Sequence, residues 1–298
     1  MIIIEYSTMG LKPDTYLEKI KAAQEYLKGT DYTLGIQIHN SIDARLLELI
    51  MPLCKDFPIS VHSPVLSPYF LNLAMTDGEF IQRIARQAVD FLARVPTSLF
   101  FFHGFFLVNE PLPHNMREYR RNMIAHISPH LSLEGSFIMH PAYRETEEYQ
   151  QGKENFIHNF SLLKQSYPEL IIALENDFVG IGSAMQHPEV ILELLTDFWF
   201  DLGHFWCSAI LHKFDFYEWG RILIERMKIH GAHINHNLMA PDENPTRLFD
   251  SHTHLYTPSR QNLAPLTRYM RERGVERFTL EIVDLDIEDL KILRGWLD

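Results

Sequence analysis

Residues 198–204 read Phe-Trp-Phe-Asp-Leu-Gly-His: three large apolar side chains, then a carboxylate, then a histidine three positions further on. A short apolar run of that kind reads as a buried β-strand, with the polar residues falling where the strand runs out. The same signature recurs at Val61-His62, Phe102-His103, Leu174-Glu175-Asn176, Ala232-His233 and Leu280-Glu281. Side chains that prefer water, set repeatedly at the ends of apolar strands, describe many strands aiming ligands at one point. That arrangement is a metal site at the mouth of a barrel.

Outward from this stretch, strand-like and helix-like segments alternate. Strands are expected at Ile2–Tyr6, Thr33–Ile38, Pro58–His62, Ser98–His103, Leu170–Glu175, Phe198–Asp201, Lys228–Ile234 and Arg277–Ile282. Helices are expected at Asp14–Leu27, Ser41–Leu53, Glu79–Ala93, Glu154–Gln165, Pro188–Leu195, Phe216–Met227, Leu263–Glu272 and Ile287–Trp296. Eight such units predict an α/β fold, a single (β/α)8 TIM barrel whose chemistry lies at the C-terminal ends of the strands. The interval between His103 and Glu175 is too long for one crossover. It predicts an insertion at about 105–135 between strands 4 and 5, with a helix near Met116–Ile127 and an extra strand at Ser136–His140. Whether the fourth strand ends at His103 or His140 stays open from the residues alone. No composition shift marks a second domain, so residues 1–298 are expected to form one.

The bulk properties agree. A chain of 298 residues with 46% hydrophobic content holds one large core, and a barrel of this type needs about 250 residues. Cys54 and Cys207 are far apart and lack CxxC spacing, which argues against a disulfide framework or a thiolate zinc site and fits a reducing cytoplasm. The apolar run Met1-Ile2-Ile3-Ile4 is broken by Glu5, far short of the roughly 18 residues of a membrane span. No membrane partner is expected. A net charge of −12, from 27 Lys+Arg against 39 Asp+Glu, argues against broad polyanion binding.

Glu175, Asp201, His233 and Glu281, from strands five to eight, supply three carboxylates and one imidazole. That donor set suits Mn²⁺, Mg²⁺, Fe or Zn²⁺. His204 follows Asp201 as a DxxH pair, Asp250 and His252 share one loop, and His62 with His103 or His140 lies beside Glu175. The chain thus has ligands for one to three divalent ions, with Glu175, Glu281 and His204 as candidate catalytic groups. A lone histidine at a strand end is more often a structural hydrogen-bonding group; the ordered set carries the reading. His39, His114, His126, His130, His158, His187, His212 and His230 are read as surface or core residues.

The segment His62-Ser-Pro-Val-Leu-Ser-Pro-Tyr-Phe-Leu-Asn-Leu-Ala74, with Leu174-Glu175-Asn176, Asp201-Leu-Gly-His204, His233-Ile-Asn235, Asp250-Ser-His252 and Leu280-Glu281, resembles the xylose-isomerase-like TIM-barrel superfamily. That group joins sugar isomerases and epimerases with endonuclease IV (AP endonuclease family 2). The resemblance implies shared metal ligands at Glu175, Asp201, His233 and Glu281. In the endonuclease branch it adds His62, His103 or His140, His204, Asp250 and His252, with Zn or Mn as the ion. Departures are present: the family's HPG turn reads His103-Gly104-Phe105 or His140-Pro141-Ala142, a Pro-rich stretch spans Pro64 to Pro68, and His236 replaces an expected Asp. The expectation is a cytoplasmic metal enzyme acting on a small sugar or sugar phosphate, with abasic-site DNA as the other candidate partner. It leans to phosphoester hydrolysis by a polynuclear site. A one-metal sugar isomerase or epimerase is the alternative, and a non-catalytic metal-binding protein the second.

Overall fold

The apolar runs form the strands they predict. The computed structural model describes residues 1–9, 12–114, 138–179, 182–194, 197–238 and 250–298. Eight parallel strands close into a barrel in chain order: β1 (Ile2–Ser7), β2 (Tyr32–Ile38), β3 (Ile59–His62), β4 (Leu99–Phe102), β5 (Ile171–Glu175), β6 (Asp197–Asp201), β7 (Lys228–Ile234) and β8 (Arg277–Leu280). Closure is made where β1 pairs with β8, Ile4 opposite Phe278 and Tyr6 opposite Leu280. The helices are α1 (Pro13–Leu27), α2 (Ala44–Ile50), α3 (Gly78–Leu92), α4 (Glu147–Ser166), α5 (Pro188–Leu194), α6 (Leu202–His212), α7 (Phe216–Arg226), α8 (Ala264–Glu272) and α9 (Ile287–Leu297).

The fourth strand ends at Phe102, so His103 follows it and His140 does not. Of the expected extra strand Ser136–His140, residues 138–140 belong to no barrel strand and 136–137 lie outside the described residues. The helix expected near Met116–Ile127 also lies outside them, as does most of the 105–135 insertion. Asp77 caps α3 by accepting from Phe80 N, while Thr76 is tied to Asn109.

Helix α6 was not expected. Its sequence, LGHFWCSAILH, is apolar on nearly every face, so it lacks the stripe that marks a surface helix. It begins directly after β6, with Asp201 as its N-cap accepting from His204 N at 2.6 Å. Gly203 is required there: a Cβ would lie 2.0 Å from Asn235 Oδ1.

The barrel interior is plugged below the mouth by Phe101 and Trp199, stacked with ring centroids 3.9 Å apart and 5° between planes. Gly231 makes room for the indole, since a Cβ would come within 2.5 Å of it. A register shift between β6 and β7 at Phe198/Trp199 sets Gly231, not His230, opposite Trp199. Both rings pack edge-on against His233, giving the site a dry floor. Among the described residues, no helix is long and apolar enough to cross a membrane.

Candidate metal centre

Three groups of ligand atoms meet on this floor, each with its atoms within 4.8 Å of one another: Glu175, Asp201, His233 and Glu281; His62, His103 and Glu175; and His204, Asp250 and His252. Nine of the ten metal-ligand candidates read from the sequence are therefore brought together, and Glu175 belongs to two groups. His140 is the exception. It is exposed, and its Nδ1 accepts from Ala142 N as the cap of the short 3-10 helix Pro141–Glu145.

In the four-residue group the atoms converge on His233 Nδ1, which lies 2.7 Å from Glu175 Oε1, 3.2 Å from Asp201 Oδ2 and 3.1 Å from Glu281 Oε2. Gln37 fixes that orientation from inside the barrel. Its Nε2 donates to Thr279 Oγ1, so its Oε1 is left to accept from His233 Nε2 at 3.1 Å. The proton of a neutral His233 ring is thereby placed on Nε2 and the lone pair on Nδ1.

In the second group, His62 Nε2 is 2.8 Å and His103 Nε2 3.7 Å from Glu175 Oε2. His103 Nδ1 is turned away to Asp177 Oδ1 at 2.5 Å, and Asp177 is itself held by Ser183 Oγ. In the third, Asp250 Oδ2 lies between His204 Nε2 at 2.8 Å and His252 Nε2 at 2.6 Å. His204 Nδ1 bonds the Asn176 carbonyl at 3.1 Å, and His252 Nδ1 bonds the Glu281 carbonyl at 3.0 Å. His103, His204 and His252 thus each have one nitrogen engaged by the scaffold and the other turned inward.

His252 adopts a left-handed backbone, φ 36°, which costs a non-glycine residue about 1–2 kcal/mol. Neighbouring bonds hold it there: Thr253 exchanges two backbone hydrogen bonds with His236, and Val283 N donates to His252 O. Strain retained at such a position fits a side chain aimed for a purpose.

The donor set passes a test of fit for a cation. Buried His62 Nδ1 and Nε2, Glu175 Oε2 and Asn235 Oδ1 have no aligned hydrogen bond among the described residues. Yet His62 Nε2 and Glu175 Oε2 face each other at 2.8 Å. Buried polar atoms left in this way are costly, and a dication shared by His62 Nε2 and Glu175 Oε2 would satisfy that pair.

The electrostatics of the metal-free chain follow from burial and from this crowding. Burial disfavours charge on every ring, and at His62 it prevails, lowering the pKa to about 4 against the pull of Glu175. At His204 burial is outweighed by Asp201 and Asp250, and at His233 by Glu175 and Glu281; both are held well above the ordinary histidine value. His252 is raised to about 9, Asp250 overcoming burial. Burial pushes Glu281 up to about 7 against His233 and His252. Glu175 goes the other way: burial would raise it, but His233, His103 and His62 hold it well below the carboxylate range.

Sequence reasoning missed Gln37, Asp177 and His39. His39 was left among the surface or core residues, but it lies buried in the mouth, where its ring stacks flat on His62. Its position directly after Ile38 is the same strand-end signature as Val61-His62.

No family model matches the chain, and no curated protein matches it. Among solved structures, a D-tagatose 3-epimerase-like protein superimposes with a TM-score of 0.59 at 16% identity, over 100% of this chain and 97% of that one. L-ribulose 3-epimerase gives 0.51 at 12% identity over 99% and 86%. The Thermus thermophilus protein TTHB071, soaked with ZnCl₂, gives 0.50 at 17% over 99% and 98%. At identities of 12–17% these likenesses establish the barrel fold that the chain shares with them, matching the xylose-isomerase-like resemblance at the level of fold.

Proposed function

We infer that this chain is a divalent-metal-dependent enzyme that isomerises or epimerises a small sugar or sugar phosphate. The observation that carries the reading is the convergence of two carboxylates of opposite disposition, Glu175 and Glu281, on one imidazole nitrogen. Glu175, Asp201, His233 and Glu281 would hold the ion, and an ion there polarises neighbouring sugar oxygens and acidifies the adjacent C–H. Glu175, kept ionised by three histidines, is suited to take that proton. Glu281, on another strand of the same group, is the candidate to return one, so the pair divides the proton exchange between two strands. The Phe101–Trp199 floor keeps water from the underside of the exchange. Two fold neighbours carry epimerase names, which supports this reading over the hydrolytic lean of the sequence.

The phosphoester reading is kept as the second because of one observation. The groups His62–His103–Glu175 and His204–Asp250–His252 flank the first, and adjacent ions bridged by a carboxylate suit hydrolysis. Nothing in the comparisons favours DNA as substrate. The deciding experiment is metal analysis of the purified protein together with assays on ketoses, their phosphates and abasic-site DNA. One ion with interconversion of a ketose supports the first reading. Two or three ions with phosphoester cleavage and no interconversion overturn it in favour of the second.

A further inference from the structure

His39 is the buried mouth residue to which the proposed reaction gives no task. Its peptide is fixed on both sides: its N–H donates to Thr8 Oγ1 at 2.9 Å, and its carbonyl accepts from Ile42 N at 3.1 Å. Its ring lies on His62 with centroids 4.7 Å apart and 2° between planes. The Ser41 N–H donates to His39 Nδ1 at 3.1 Å, and the Ser41 hydroxyl lies 2.6 Å from the same nitrogen. A ring nitrogen that accepts an N–H bears the lone pair, so the ring's proton sits on Nε2. Nε2 in turn lies 3.3 Å from Glu281 Oε1. With its lone pair taken by Ser41, His39 has nothing to offer a cation; it can only donate.

We propose that His39 is a positioning residue for Glu281: it donates from Nε2 to Oε1 and so determines which carboxylate oxygen faces the metal cluster. The oxygen left is Oε2, which lies 3.1 Å from His233 Nδ1 and 3.5 Å from His252 Nδ1. The ring face meanwhile steadies His62, whose own nitrogens have no aligned partner among the described residues. This rests on the reading of Glu281 as a ligand and proton-transfer group.

Two measurements test it. In metal-free protein carrying ¹⁵N-labelled histidine, two-bond ¹⁵N–¹H correlation should show His39 as the neutral Nε2–H tautomer; an Nδ1–H or doubly protonated ring overturns the proposal. The second is a Co²⁺ titration, followed by visible absorption, of wild type, His39→Phe and His39→Gln. Phe keeps a flat ring on His62 and removes the donor, whereas the Gln amide restores a donor without the ring. His39→Phe should keep the full ion count, weaken affinity by about 10–100-fold and shift the Co²⁺ spectrum, with His39→Gln recovering most of both. An unchanged affinity and spectrum in His39→Phe, a lost ion, or a Gln variant no better than Phe each overturns the donor role. If wild type takes up no ion, the metal reading of Glu281 fails by itself, and the tautomer still decides the His39–Glu281 contact.

Discussion

Glu5 and Glu281 are both buried carboxylates inside one barrel, 0% and 2% exposed, and their surroundings are opposite. Glu5, midway along β1, is fully answered: Ser60 Oγ and Thr279 Oγ1 donate to its Oε2 at 2.8 and 2.6 Å, and Arg277 pairs with its Oε1. Gly35 lies against it, where a Cβ would come within 2.9 Å of its Cγ. Glu281, two residues beyond Thr279, the register partner of Glu5, meets the imidazoles of His39, His233 and His252, and the Glu175 and Asp201 carboxylates compete with it for the same His233 nitrogen. A carboxylate whose every contact is a donor belongs to the structure. One set among competing acceptors is held there for something the chain does not itself supply.

Four substitutions or conditions break or sharpen that contrast. The largest effect is expected from Glu281→Gln, which removes a charge from the cluster with little packing change: turnover should fall by about 10²–10⁴-fold with a thermal melt close to wild type. Wild-type turnover at unchanged metal content would move Glu281 to the structural class. Glu5→Gln should do the reverse, costing about 1–3 kcal/mol by leaving the part-buried Arg277 and the Ser60 and Thr279 hydroxyls without their anion, while kcat per folded molecule holds. Chemical denaturation with active-site titration measures both, and a stability unchanged from wild type removes the contrast.

The third concerns pH. His252 has its pKa raised from 6.5 to about 9 in the metal-free chain. Its contribution to stability is therefore complete below about pH 6.5 and is lost as pH rises through the folded value. Metal binding runs the opposite way, because ligation needs rings without the extra proton. EDTA-treated protein should melt lower at about pH 8.5 than at about pH 6.5, and added Mn²⁺ should raise Tm more at the higher pH. An equal gain at both would mean that no protonated ring gives way to the ion. The smallest effect belongs to a pair: His103→Ala should lower metal stoichiometry, whereas His140→Ala, at an exposed 3-10 cap, should leave both stoichiometry and turnover unchanged.

The mouth was legible because its logic is one-dimensional. A polar residue at the end of an apolar strand lands at the C-terminal rim whatever the rest of the chain does: Glu175 and Asp201 are the last residues of their strands, His233 is one before the last and Glu281 one after. What the sequence left open depends on the third dimension. Val61-His62 and Ile38-His39 are the same signature, yet only contact distances separate a candidate ligand from a ring whose lone pair is already taken by Ser41. His103 and His140 also end similar runs. Here a signal was available, since Pro141 suits the first position of a helix and marks His140 as its cap. Helix α6 escaped because periodicity reports a boundary with water, and LGHFWCSAILH has almost none. Gln37 lies within the strand pattern, and nothing local to it announces that its amide reaches Thr279 on one side and His233 on the other.

Glu175 turns Oε1 to His233 and Oε2 to His62 and His103, so two ligand groups share one anion. Independent sites fill in proportion to their own affinities, but sites that share a charge acquire an order. On the metal reading proposed above, the group with three carboxylates would draw the first ion, and the group of two imidazoles and a carboxylate already engaged would fill only afterwards. Occupancy of the mouth would then run as a succession, with partial loading a defined species of its own.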